Sequence, residues 1–149
     1  MNLTKPKNAA QVGPDAYMWQ LTRLEVVEHW EELAGMFQPV VVVSRGELST
    51  FSLLHSCAHE RAYCFIGTYQ GVPRVALVAS LHEYPEHKIC LIDAYAGRAS
   101  LFYQYLRHLE LWAQMNGCDF MEGHGSAGAQ RLAKRHGFQH SHMVYRKPL

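Results

Sequence analysis

The sequence predicts a mixed α/β protein with a twisted mixed β-sheet of about six to seven strands flanked by about four helices. Helix-like and strand-like segments alternate along the chain, three strand-like segments follow one another in its middle, and a late helix ends at Gly137-Phe138 before an alternating run. A chain of 149 residues is long enough to bury a core. We therefore expect a single domain over 1–149, with 1–15 as a loose N-terminal tail.

The N-terminal half is predicted to contain one strand and two helices. Tyr17 to Leu21 favours a strand, and the Thr-x-x-Glu pattern at 22–25 is a capping box that begins a helix ending at Gly35. The valine-rich segment Pro39 to Val43 is short and bounded by turn residues, so it stays unassigned. Glu47 to Arg61 has apolar residues at helical spacing and predicts the second helix.

The middle of the chain is predicted to form an antiparallel meander followed by a long helix. Strand-like residues fill three segments separated by turns at Gln70-Gly71 and Tyr84-Pro85: Tyr63 to Thr68, Val75 to Ser80 and Lys88 to Ala94. A helix is predicted over Ser100 to Met115, because its apolar residues form one stripe.

The C-terminal part is predicted to form a strand, a short helix and a last strand. Cys118 to Glu122 favours a strand, Ser126 is the expected N-cap of the helix that Gly137 ends, and the alternating run Gln139 to Lys147 follows. The predicted order is therefore β, α, α, β, β, β, α, β, α, β.

This order, together with Gly137-Phe138 before the last strand, resembles the GNAT-type N-acetyltransferases from about Ala16 to Lys147. The chain looks like a divergent member of this family, and one interpretation is that it is encoded by a phage. The resemblance implies two helices packed on each side of the sheet. It also implies that the strands Lys88 to Ala94 and Cys118 to Glu122 splay apart and hold acetyl-CoA between them.

The resemblance also implies a cofactor-binding turn before the long helix. The family has Arg or Gln, two residues, Gly, one residue, then Gly or Ala, and here Gly97 and Ala99 match while Ala94 does not. A helix N-terminus and a glycine suit a phosphate, since free amides and the helix dipole face it. The implied cofactor-binding residues are Ala94, Tyr95, Gly97, Arg98, Ala99 and Ser100. The alternative is an ordinary strand-to-helix turn with a solvated Arg98.

Acetyl transfer to an amine needs a proton acceptor and an acid for the departing thiolate. The base candidates lie at the ends of the two strands that border the implied cleft: Glu122 first, then Asp93 and His124. The family's usual acid is a tyrosine of the last helix, but that position is Ala133 here, so Tyr95 and Tyr145 are the replacement candidates. Each of these side chains also fits an ordinary polar or packing role.

Composition narrows the class of protein further. Four dispersed cysteines without a Cys-x-x-Cys pair, and no export signal, predict reduced thiols and a cytoplasmic protein, or a virion protein if the chain is phage-encoded. No apolar run reaches the roughly 20 residues that cross a bilayer, so no membrane partner is expected. The histidine pairs His55/His59 and His140/His142 have no reason to converge, so no metal site is predicted.

Three functions stay open. The first is an acyl-CoA-dependent N-acetyltransferase that modifies an amine of a small molecule or protein. The second is a catalytically inactive GNAT-fold module that binds a protein partner, such as a phage virion or host-interaction protein, because Ala94 and Ala133 depart from the family pattern. The third is nucleic-acid binding by basic C-terminal residues, which a net charge of only +1 disfavours: Arg131, Lys134, Arg135, Arg146 and Lys147.

Overall fold

The computed structural model of the chain describes residues 1–125, 127–142 and 144–149. One sheet runs in the order β1 to β6, with strands β1 (Ala10–Gly13), β2 (Ala16–Gln20), β3 (Tyr63–Tyr69), β4 (Val72–Glu83), β5 (Lys88–Ala96) and β6 (Phe120–Gly123). The helices are α1 (Arg23–Glu28), α2 (Trp30–Val43), α3 (Thr50–Ala58), α4 (Ala99–Met115) and α5 (Ala127–Arg135). Neighbouring strands are antiparallel except β5 and β6, which are parallel. The predicted mixed α/β fold class is confirmed.

The two faces of the sheet carry separate hydrophobic clusters. On one face, Leu33 and Phe37 of α2 pack with residues of α1 and α3 against β-strand residues that include Val78 and Ala94. On the other face, Tyr105 of α4 packs against residues of β3 and β4. Three helices therefore cover the first face, where the resemblance implied two.

The capping box predicted at the start of the first helix is confirmed. The Thr22 hydroxyl accepts from the Glu25 amide at 3.2 Å, and the Glu25 carboxylate accepts from the Thr22 amide at 2.7 Å. The helix does not run on to Gly35 as one piece, because His29 leaves helical geometry (φ −108°, ψ 27°) and separates α1 from α2. The unassigned segment Pro39 to Val43 is the end of α2, where the partly buried Val40 and Val41 pack on the first-face cluster.

Both ends of the chain differ from the prediction. Residues 10–13 form β1 and pair with β2, so they are not part of a loose tail. The last strand, predicted over Gln139 to Lys147, is wrong for the described residues, since 139–142 and 144–149 are irregular and exposed. The residues that alternate in this segment include His140 and His142, and the described ones are exposed, so no buried apolar face sets the register of a strand. The predicted N-cap, Ser126, lies outside the described residues.

The other elements lie close to their predicted positions. The predicted helix over Glu47 to Arg61 is shorter, because Ser49 caps α3 by accepting from the Ser52 amide at 2.9 Å. The strand predicted from Cys118 begins later, at Phe120. Asp119, the residue before β6, is bonded to the first residue of β5. Its amide donates to the Lys88 carbonyl at 2.8 Å, and its carboxylate accepts from the Lys88 amide at 2.9 Å. No helix among the described residues is long and apolar enough to cross a membrane.

Candidate active site

Asp93 lies at an irregularity of β5, at the point where β5 leaves β6. Ile92 pairs with Ala79 of β4 and Ala94 pairs with Val78, so Asp93 is the extra residue of a β-bulge. The parallel pairing between β5 and β6 ends one residue earlier, at Ile92 and Gly123. The backbone around Asp93 is therefore released from a regular ladder on both sides, because β6 ends at Gly123.

The Asp93 carboxyl is half-buried among polar groups of neighbouring strands. Its Oδ2 atom is shielded from solvent and has no hydrogen-bond partner of full geometry among the described residues. Burial raises the pKa of Asp93, while the Ser80 hydroxyl and the nearby His82 and His124 act in the opposite direction. Ser80 Oγ and His82 Nε2 lie 2.9 Å apart. These four side chains form what we call the Asp93 cluster: Ser80, His82, Asp93 and His124.

The structure brings some of the predicted catalytic residues together. His124, one residue beyond β6, is exposed and near enough to Asp93 to affect its pKa. Glu122 pairs in register with Leu91, which Ser80 faces from the other side, so Glu122 lies two strand spacings from Ser80, about 10 Å. Tyr145 is 85% exposed in the irregular C-terminal segment. The sequence reasoning missed Ser80 and His82, although their spacing of two on one strand places them on one face.

Tyr95 has a structural role in the turn between β5 and α4. Its hydroxyl donates to the Arg98 carbonyl at 2.7 Å, and burial raises its pKa to about 12. Its ring packs edge-on against Phe102 of α4, with ring centroids 4.8 Å apart. A hydroxyl that is bonded to the backbone and hard to ionise is poorly placed to protonate a thiolate.

Gly97 is required by the packing of the same turn. Its φ of +147° is one that side-chain-bearing residues rarely adopt, and a Cβ there would lie 2.9 Å from the Tyr95 hydroxyl and 3.0 Å from the Arg74 carbonyl. Ala94 is buried under the helices of the first face, so its position does not present a side chain to the turn. The matched glycine therefore has a structural explanation that needs no ligand.

The start of α4 is nevertheless open to a ligand. Arg98 is the N-cap and makes no side-chain capping bond, and the three residues after Gly97 are exposed: Arg98, Ala99 and Ser100. An open cleft of about 890 Å³ lies beside this turn, between α2 and α4. Its lining includes Tyr95, Gly97 and Arg98, and its charged lining residues are Arg74 and Arg98. The amides of an uncapped helix start and two arginines suit an anionic ligand.

Metal binding gains no support from the described residues. The His55 and His59 rings lie close together, with centroids 4.2 Å apart. No group of three or more His, Cys, Asp or Glu side chains that could hold a metal ion occurs in the described part of the chain.

The architecture matches that of several solved acetyltransferases. A probable acetyltransferase superimposes with a TM-score of 0.69 over 89% of this chain and 97% of its own, at 14% identity. A GCN5-related N-acetyltransferase from Ralstonia eutropha JMP134 gives 0.64 over 90% and 98%, at 16% identity. An aminoglycoside acetyltransferase from an uncultured soil metagenomic sample, solved with sisomicin, gives 0.64 over 90% and 97%, at 12% identity. No protein-family model and no curated protein sequence matches the chain.

The chain therefore has a GNAT-type fold, as the order of its predicted elements indicated. The likeness extends over nearly the whole length of both partners in each comparison. At these identities the likeness establishes the fold alone.

Proposed function

We propose that the protein is an acetyl-CoA-dependent N-acetyltransferase that modifies an amine of a small molecule or protein, with Asp93 as the proton acceptor. The observation that carries this proposal is the position of the Asp93 carboxyl. It is half-buried, incompletely hydrogen-bonded, and located one residue beyond the point where the pairing of β5 with β6 ends. A carboxyl whose pKa burial has raised is suited to accept a proton near neutral pH.

The turn before α4 is the proposed binding site for the phosphates of acetyl-CoA, which supplies the activated acetyl thioester. Arg98 and Arg74 provide positive charge, and the open amides at the start of α4 provide hydrogen-bond donors. Gly97 follows Asp93 by four residues and comes directly after the end of β5, a backbone distance of about 13 Å. The proposed binding site and the proposed base are thus held by one stretch of the chain.

The acid for the departing thiolate has no assignment in this proposal. The usual position is Ala133, Tyr95 is bonded to the Arg98 carbonyl, and Tyr145 is exposed. A free thiol has a pKa near 8.5, so coenzyme A can depart as a thiolate and take its proton from solvent at modest cost. The missing tyrosine therefore slows the proposed reaction without forbidding it.

Calorimetric titration with acetyl-CoA and with coenzyme A tests the binding half of the proposal. Arg98→Glu is the informative variant, because Arg98 has ordinary N-cap angles (φ −71°, ψ 136°) and an exposed side chain. Binding should weaken at least about tenfold, since a charged hydrogen bond contributes roughly 1.5–3 kcal/mol. Arg107→Glu, which makes the same charge change on the exposed side of α4, is the matched control and should bind like wild type.

Two outcomes of the titration would count against the proposal. If the folded wild-type protein binds neither ligand, an acetyl-CoA-dependent enzyme is excluded. If Arg98→Glu and Arg107→Glu weaken binding equally, the ligand is held by overall charge and not at the start of α4.

Acetyl transfer tests the catalytic half. The acceptor screen should begin with aminoglycoside amines, because one structural neighbour is an aminoglycoside acetyltransferase solved with sisomicin. Asp93→Asn should keep acetyl-CoA binding and lower the transfer rate by about 10²-fold or more, the usual contribution of a positioned base. Glu122→Gln is the comparison variant, and a larger loss there would move the base to Glu122.

The inactive GNAT-fold module is the second proposal, because the two candidate acids are poorly placed and α1 and α3 expose apolar side chains. Tyr95 is bonded to the Arg98 carbonyl, and Tyr145 lies in the exposed C-terminal segment. Leu24, Val27 and Phe51 are each more than half exposed. Such a module would bind a protein partner, and a phage virion or host-interaction role belongs to this alternative. The inactive module would be favoured if the wild type binds a protein partner but no acetyl-CoA, and if Phe51→Ser abolishes binding of that partner.

A further inference from the structure

The Ser80 hydroxyl stands between two acceptors and has only one proton to donate. Its Oγ atom lies 2.9 Å from His82 Nε2, and it is near enough to the Asp93 carboxyl to lower the pKa of Asp93, although the described structure holds no hydrogen bond between Ser80 and the shielded Oδ2 atom. If the proton points to His82, the buried Oδ2 of Asp93 stays without a donor. If His82 Nε2 carries a hydrogen and donates to Ser80, the Ser80 proton is directed to Asp93.

Burial decides between these two arrangements. His82 is exposed at the end of β4, so water can satisfy whichever of its nitrogens is free. Asp93 Oδ2 is shielded from solvent, and an ionised carboxylate oxygen without a donor costs more than a neutral imidazole nitrogen in water. The arrangement in which His82 donates to Ser80, and Ser80 donates to Asp93, is therefore the more stable one whenever Asp93 is ionised.

We propose that His82 acts through Ser80 as a positioning residue for Asp93, by fixing the Ser80 hydroxyl as a hydrogen-bond donor to the buried carboxylate. This inference rests on the proposed function, in which Asp93 must be ionised before it accepts a proton from the amine. His82 touches neither substrate nor cofactor in this role. Its effect is to keep a hydrogen-bond donor on the half-buried carboxylate, so that Asp93 stays ionised until it accepts a proton.

The other groups around Asp93 do not supply the missing donor. His124 follows β6 and acts on Asp93 through its charge, and Glu122 of β6 is itself an acceptor when ionised. Cys90 of β5 is buried, and its pKa is raised to about 12, so it stays a neutral thiol. The helix α2, which packs on this face, contributes apolar side chains to the cluster around Ala94. Ser80 is the neutral hydroxyl donor near the carboxyl among the described residues.

Carbon-13 and nitrogen-15 NMR of the full chain tests this arrangement without any ligand. The Asp93 carboxyl is followed in wild type, Ser80→Ala, His82→Ala and the double variant, with Asp93→Asn to assign its signal. Each single change should raise the pKa of Asp93, and the double variant should raise it by less than the two single effects combined, since one effect passes through the other. The proposal would be overturned if the two effects on the pKa of Asp93 are additive, or if Ser80→Ala leaves that pKa unchanged.

The tautomer of His82 gives an independent readout. When the His82 ring is neutral, its hydrogen should be on Nε2 in wild type and be divided between both nitrogens in Ser80→Ala. A wild-type ring with its hydrogen on Nδ1 would mean that Ser80 donates to His82, which would refute the proposed series of hydrogen bonds from His82 through Ser80 to Asp93. His87→Ala is the matched control, because His87 is an exposed histidine on the same β4–β5 hairpin, and it should leave Asp93 unchanged.

The pH dependence of acetyl transfer links the inference to function. The acid limb of the rate profile should move to higher pH in Ser80→Ala and His82→Ala and stay in place in His87→Ala. The two proposals fail separately. Absence of acetyl-CoA binding removes the enzyme, whereas the NMR result alone decides whether His82 and Ser80 position Asp93.

Discussion

Gly97→Ala should destabilise the protein by about 2–4 kcal/mol, whether or not the protein binds acetyl-CoA. A Cβ at this position would lie 2.9 Å from the Tyr95 hydroxyl, 3.0 Å from the Arg74 carbonyl and 3.1 Å from a Val75 methyl group. The Arg74 carbonyl belongs to β4 and cannot move without disturbing the sheet. The φ of +147° adds strain, since alanine avoids this region.

Gly117→Ala separates the two causes. Gly117 follows α4 with φ +78°, and a Cβ there would meet no atom within 4 Å, so only the backbone strain of about 1–2 kcal/mol applies. Urea unfolding measures both variants, and Gly97→Ala should lower the midpoint by about 1 M more if the slope is roughly 1–2 kcal/mol/M. Equal losses in the two variants would refute the argument that close packing, and not only φ, selects glycine at position 97.

Three other predictions each concern the stability effect of one substitution. Thr22→Ala should cost about 1 kcal/mol, because it removes the capping box of α1, and an unchanged urea midpoint would contradict this. Gly67→Ala should cost about 1–3 kcal/mol in the same assay, since its Cβ would lie 2.6 Å from the buried Tyr105 ring, and a neutral effect would mean that the ring moves freely. Asp93→Asn should stabilise the protein at pH 7 but not at pH 3, because burial raises the pKa of Asp93 and penalises only its ionised form; an equal gain at both pH values would contradict this.

The parts of the fold that depend on local signals could be predicted from the sequence. The capping box at 22–25 and the apolar stripe of α4 act within a few residues, and both elements form close to their expected positions. The pairing of β1 with β2, and the lack of a strand after Phe138 in the described residues, depend on partners distant in sequence. A short segment such as 10–13 shows too few residues for a periodic pattern to appear.

The candidate site could be predicted only in part, because a β-bulge decides its geometry. In a regular strand, Asp93 and Tyr95 would share a face, and both would border the same cleft. The bulge instead leaves Asp93 near Ser80 and His82 and turns Tyr95 against Phe102 of α4. No pattern in the sequence marks the extra residue. Tyr95 therefore changes from a candidate acid to a part of the turn, and two polar residues of β4 join the site.

The position of Asp93 costs stability, which is expected of a residue kept for function if Asp93 is the proposed base. A carboxyl that serves only to hold the fold usually has its oxygens fully hydrogen-bonded, because a buried unpaired oxygen costs free energy. Among the described residues, the shielded Oδ2 atom of Asp93 has no hydrogen-bond partner, although Ser80 and His82 lie close to the carboxyl. An asparagine there should make the protein more stable and, if Asp93 is the base, less active. That opposite response of stability and activity is expected of a site selected for chemistry.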